Sequence, residues 1–246
     1  MSILPLSFFI LYYLFLVQHS LGIGAEFASD KIKSITLMRV EHRYVKEGMY
    51  TPQGATSLLI GTFPSILIRE KFNRVRPTDV DFFYGSIDNN FWKDLGIIYD
   101  RTFSFDRSEK AIEQRMDLLD AIKMAMSDAI FACETSGSAM DTALQNIELN
   151  DQIISVLDKN PSISKLYFTS SSGKVNAETL TLRLLKESKR LSQMKILQKN
   201  SPRKRSFLFI DINGSVRMID TVTLISPSPL AEQWGGITPE KRQAVY

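Results

Sequence analysis

Along the chain, apolar residues gather into short β-prone runs separated by amphipathic stretches. Residues 57–62 (SLLIGT), 128–133 (DAIFAC), 165–169 (KLYFT) and 216–225 (VRMIDTVTLI) are predicted strands, each ending in turn or polar residues. Residues 206–212 form a further strand, and Asn213-Gly214 between it and the last run signals a hairpin. Met116, Leu119, Ile122 and Met126 share one face of a helix predicted over 114–126. A second helical region spans 141–159 and stops at Asn160-Pro161. Asn176 caps a third helix running to about Gln198, with Leu184, Leu185, Leu191 and Met194 packing it down. Residues 63–92 read as a mostly irregular stretch, anchored by Phe72, Phe82, Phe83, Tyr84, Phe91 and Trp92. Strands alternating with helices predict an α/β fold: three layers, α/β/α, around a central, mostly parallel four-stranded sheet plus an added hairpin strand.

Composition narrows the chemistry. The chain has 246 residues, enough for one sizeable domain with room for a small appendage. A formal charge of +3 hints only weakly at an anionic partner. The single cysteine, Cys133, excludes an internal disulfide and a multi-thiolate metal site. The two histidines, His19 and His42, precede the motif region, so neither a histidine metal centre nor a Ser-His-Asp triad is expected. Carboxylate, amide and backbone groups are left to do any chemistry, with no cofactor and no metal.

Residues 1–22 form an apolar leader without a charged side chain. Its apolar run, 8–17, is shorter than the roughly 20 residues a spanning helix needs, and it lacks a basic n-region. Three readings stay open: a poor signal peptide, a membrane anchor, or translated upstream sequence with Met38 as the true initiator. Residues 23–56 read as a polar lead-in with little core, and residues 57–246 as the domain proper.

Three motifs carry candidate chemistry. Gly61-Thr62-Phe63-Pro64-Ser65 follows the first strand and lacks the Lys and the spacing of a triphosphate-binding loop. It is either a plain strand exit or a turn whose Gly61 admits close approach and whose Phe63 stacks on a planar ligand. Asp88-Asn89-Asn90, just before Phe91-Trp92, is either an Asx turn or a rigidly held amide and carboxylate facing a crevice. Ser226-Pro227-Ser228-Pro229-Leu230 is either a stiff connector or a phosphate grip. In an open α/β sheet, turns after the carboxyl ends of strands line one crevice, so these motifs are expected to share a pocket. From Arg183 to Arg205 there are nine Lys or Arg and one acid. That run is either a solvated helix face or a phosphate footprint centred on Arg203, Lys204 and Arg205.

The order of GTFPS, then YGSIDNNFW at 84–92, then SPSPLA at 226–231, resembles the uracil-DNA glycosylase superfamily, nearest its hypoxanthine-excising and mismatch-type branch. In that branch a Y-x-H-P-x-N-x-F-W segment carries a catalytic asparagine, and Asn89 falls on its position and Tyr84 on the aromatic one. Ser86 and Ile87 replace His-Pro, and Ser226 replaces the histidine of the uracil-specific enzymes. The resemblance covers about two-thirds of the chain. It implies a monofunctional, metal-free glycosylase acting on DNA as a monomer in the cytoplasm; the leader, if retained, implies export or anchoring instead. Asn89 is its catalytic residue, with Asp88 as the fallback base. Gly61, Thr62, Phe63, Pro64, Ser65 and Tyr84 form its base pocket. Ser226, Pro227, Ser228, Pro229 and Leu230, together with Arg203, Lys204 and Arg205, contact its DNA. The alternative is a nucleic-acid-binding protein on the same scaffold that has lost catalysis.

Overall fold

The structure is a computed structural model and describes residues 36–138 and 140–246. The expectations placed on residues 1–35 lie outside the described residues. The described part opens with strand β1 (Met38–Glu41) and the one-turn helix α1 (Arg43–Lys46). There follow β2 (Ser57–Gly61), α2 (Ser65–Lys71), α3 (Phe91–Ile98) and α4 (Glu109–Ala121). Strands β3 (Met124–Asp128), β4 (Ile130–Thr135) and β5 (Gln145–Leu149) come next, with a 3₁₀ turn at Asp141–Ala143 before β5. Helix α5 (Gln152–Lys159), β6 (Lys165–Phe168) and α6 (Ala177–Glu187) lead to the meander β7 (Leu191–Gln198), β8 (Arg203–Ile210) and β9 (Val216–Thr223). Two short helices follow, α7 (Pro229–Gly235) and α8 (Pro239–Gln243).

The fold is α/β. Its main sheet has six strands in the order β3-β2-β6-β9-β8-β7. The pairs β3–β2, β2–β6 and β6–β9 are parallel; β9–β8 and β8–β7 are antiparallel. The expected parallel core and hairpin strand are therefore present, with β7 as an additional edge strand.

Period-2 alternation sorts the parallel strands onto two faces. Leu58, Ile60, Leu166, Phe168 and Ile219 join one core, which α2, α5 and α6 cover through Ile66, Leu157 and Leu180. Leu59, Met126, Tyr167 and Val222 belong to the other, covered by α3 and α4 through Trp92, Leu95 and Leu119. Helices on both faces of the sheet give the three layers. A second sheet, β1-β4-β5, is antiparallel. Among the described residues no helix is long and apolar enough to cross a membrane.

Several expected boundaries are corrected. The helix placed at 114–126 is α4, which ends at Ala121; Met126 lies in β3. Met and Ala favour helices, but pairing with β2 along the whole strand, and a bridge from Tyr50 to Met126 on the other side, fix this segment as a strand. Residues 128–133 are not one strand: the chain turns at Ala129, so Asp128 closes β3 while Ile130 opens β4 in the other sheet. Residues 141–159 hold the 3₁₀ turn and β5 before α5. The helix capped by Asn176 stops at Glu187, and Leu191 and Met194 lie in β7. No glycine marks that stop; Lys189 takes the left-handed conformation (φ 59°) instead. Residues 65–71 of the supposed irregular stretch are helical. Residues 37–56 are more than a lead-in, since Val40, His42, Val45 and Ala55 are buried.

Candidate functional site

Strands β2, β3, β6 and β9 run parallel, so their carboxyl ends emerge on one side of the sheet. A cleft of about 910 Å³ opens there. Thr62, Phe63, Pro64 and Ser65 form one part of its wall, Tyr84, Asp88 and Asn89 another, and Ser226 through Leu230 a third. Segments more than 150 residues apart thus share one cavity. Thr169 and Ser170 after β6, and Asp141 on the 3₁₀ turn, also line it.

Gly61 itself does not line the cleft; it lies behind Asp128 and Tyr84, which do. A Cβ placed there would lie inside the contact envelopes of Asp128 Oδ1 and the Tyr84 hydroxyl, so only glycine fits. Asp128 ends β3 beside Gly61 in register and is 4 % exposed. Its Oδ2 accepts from His42 Nε2 at 2.8 Å. His42 caps α1: its Nδ1 accepts the Val45 N–H at 3.3 Å, which leaves Nε2 as the donor to Asp128. The imidazole is fully buried, edge-on to Phe63 and tilted against Phe83 at centroid distances of 5.5 Å. Burial pushes the Asp128 carboxyl above its ordinary value, against the opposing pull of the His42 hydrogen bond. Tyr84 adopts φ 55°, shares a hydrogen bond with Thr169 Oγ1 at 2.7 Å and stacks on Phe91 at 4.5 Å. Burial, and then the Asp128 charge, raise its phenol well above the usual range. The Asp141 carboxyl is pushed up to about 6 by burial, although the Thr62 hydroxyl holds it down.

The two residues expected to activate water are both engaged. Asn89 Oδ1 accepts the Phe91 N–H at 2.9 Å, the Asx turn that opens α3. Asn89 lines the cleft, where its Nδ2 amide group can donate. Asp88 is half-exposed and bound by Arg76 Nη1 at 2.9 and 3.0 Å and by Arg69 at 3.4 Å. The same guanidiniums reach the buried Asp79 and the Ser86 hydroxyl. At Asp79 burial raises the carboxyl, but the Arg76 and Ile87 hydrogen bonds outweigh it and the net shift is downward. Phe63 is 8 % exposed and its ring rests against His42, so it forms wall rather than an open stacking platform.

The 226–230 loop is fastened to the opposite wall. The Asn90 N–H donates to Pro227 O at 3.0 Å, and Asn90 Nδ2 to Glu232 of α7 at 3.0 Å. Arg242 of α8 ties Glu232 (2.6 Å) to Asp94 of α3. Tyr246 donates its hydroxyl to Ile225 O at 2.7 Å. Ser228 caps α7 by accepting the Leu230 N–H. Of the basic cluster, Arg203 reaches the cleft, but it and Arg205 both pair with the buried carboxylate of Glu178. Lys204 is exposed and lies outside the cleft lining. Lys199, in the β7–β8 turn, is exposed at the cleft mouth.

Sequence reasoning missed His42, Asp128, Asp141, Arg69 and Arg76. His42 and Asp128 are 86 positions apart, and neither stands in a recognisable motif. The one usable signal was a carboxylate closing an apolar run beside a β-strand ending in Gly. No family model, no curated protein and no solved structure matches this chain.

Proposed function

We propose that the protein is a monofunctional DNA glycosylase that hydrolyses the N-glycosidic bond of a deaminated base, uracil or hypoxanthine. The observation that carries this reading is the meeting of the GTFPS turn, the Tyr84–Asn89 segment and the SPSPL loop in one cleft. A base inside a duplex is out of reach of such a cleft, so it must be flipped out to enter. Backbone N–H groups of the 61–65 turn stabilise charge developing on the departing base. Asn89, with its Oδ1 bound to Phe91, hydrogen-bonds the base through Nδ2. Lys199, exposed on the cleft lining, suits a flanking phosphate.

The test is incubation of the protein with labelled duplexes carrying one uracil, hypoxanthine or xanthine, followed by alkaline cleavage of abasic sites. Cleavage at one of these bases supports the reading; intact strands with all three overturn it. A second reading, a nucleic-acid-binding protein without chemistry, is favoured by the engagement of both Asn89 and Asp88. It is distinguished by salt-sensitive DNA binding with no base release.

A further inference from the structure

Hydrolysis at C1′ needs a group that accepts a proton from the attacking water, and an amide cannot serve as that base. Asp88 is paired with two arginines at the half-exposed rim. Asp128 lines the cleft at the carboxyl end of β3, the strand beside β2, with one oxygen fixed by His42 and the other over Gly61 beside the Tyr84 hydroxyl. A carboxylate held on a rigid element by a locked partner has the preorganisation such a role demands. The histidine is itself fixed by its bond from Val45 N–H and by three aromatic neighbours, Tyr44, Phe63 and Phe83. Its placement has the logic of a base backed by an orienting group.

We propose that Asp128 activates the water that attacks C1′ and that His42 is its positioning residue. The proposal rests on the base-excising reading and names the catalytic group within it. The water oxygen bonds to C1′ as the C1′–N bond breaks and its electron pair leaves with the base. The proton released by the water passes to the Asp128 carboxylate. That proton returns to solvent, and the base anion takes one up as it departs. Four groups face Asp128: His42 from the β1–α1 junction, Tyr84 from the 82–85 turn, Asp141 from the 3₁₀ turn, and the Gly61 N–H of β2. Base release therefore rises with pH as Asp128 ionises. Loss of the His42 hydrogen bond, which lowers the carboxyl, moves that acid limb to higher pH.

The experiment compares wild type, Asp128→Asn, His42→Gln and His42→Phe on the duplex that wild type cleaves. Single-turnover base release at saturating DNA, affinity for an uncleavable duplex, and thermal melting are read for each. The expected result is a loss of at least about 100-fold in base release for Asp128→Asn, with affinity and melting kept. His42→Gln, which retains a donor, stays near wild type, whereas His42→Phe slows and shifts its acid limb upward. Base release by Asp128→Asn equal to wild type overturns the proposal and leaves the glycosylase reading standing. Loss of DNA affinity or of folding in Asp128→Asn, parallel to the loss of rate, also overturns it by making the residue structural. No base release by wild type on any duplex removes the glycosylase reading and this assignment together.

Discussion

Gly61 lies directly beneath the Asp128 carboxylate, and the absence of a side chain at the one is what gives the other its place. The two residues are partners in the β2–β3 register, so neither can shift without disturbing the sheet. Gly61→Ala must displace the carboxylate, the Tyr84 ring or both. Overpacking of this kind costs about 1–3 kcal/mol, read as a lowered melting temperature. Base release should fall with it, and Gly61→Ala combined with Tyr84→Phe should recover part of the lost stability by removing one of the two clashing oxygens.

Asn89 separates two roles that its position in the sequence merges. Asn89→Ala removes the acceptor of the Phe91 N–H and should cost about 1 kcal/mol by denaturant titration. Asn89→Asp keeps an acceptor at the same atom and should restore that stability. If the Nδ2 group binds the base, Asn89→Asp stays stable yet loses affinity for a flipped base, because the donor is gone. Equal affinity in wild type and Asn89→Asp would leave Asn89 as the former of an Asx turn alone.

Asp141 gives the protein a stability that depends on pH in a defined direction. Its carboxyl is raised by burial from an ordinary 3.8 to about 6. The folded chain therefore holds the proton more tightly than the unfolded chain. The associated stability is full below the ordinary value and is lost as pH rises through about 6. The loss is at most roughly 3 kcal/mol, because each tenfold gain in proton affinity on folding corresponds to about 1.4 kcal/mol. Asp141→Asn should melt like wild type near pH 4, become the more stable of the two at pH 7, and flatten the slope between. An unchanged slope in this variant would assign the pH dependence to other groups.

The fold was legible where pattern and pairing agree. Residues 57–61 and 165–168 are short, apolar and bounded by turns, and they are the central parallel strands. Strand β7 was not legible. Its Met194, Ile196 and Leu197 are exposed, so no inward alternation separates it from the Leu-rich helix before it. The three motif segments were correctly expected to share one pocket, because turns at strand ends converge in a parallel sheet. The His42–Asp128 pair could not be found this way. It depends on β1 pairing with β4 rather than with the main sheet, and no local pattern encodes that choice.

The basic run tests how charge should be read. Arg203 and Arg205 both serve Glu178, which is 2 % exposed. Removing both guanidiniums leaves a buried carboxylate without a partner, a loss on the order of 3–5 kcal/mol. Arg203→Ala with Arg205→Ala should unfold at markedly lower denaturant. Lys204→Ala should melt like wild type, since its side chain is exposed. If this face meets DNA, Lys204→Ala and Lys199→Ala each reduce the salt dependence of binding by about one phosphate contact.

The chain of bonds from Pro227 through Asn90, Glu232, Arg242 and Asp94 has a mechanical meaning. It rivets the SPSPL loop and helix α3 into a single jaw, with α8 as the crosspiece. The opposing jaw is the GTFPS turn on β2, which is welded to the sheet. Tyr84 joins the two jaws: its ring packs on Phe91 of α3, and its hydroxyl bonds Thr169 at the end of β6. The SPSPL loop and the strand ends are thus held in one frame through a single ring, and removing the Tyr84 hydroxyl would cut that link while leaving both jaws intact.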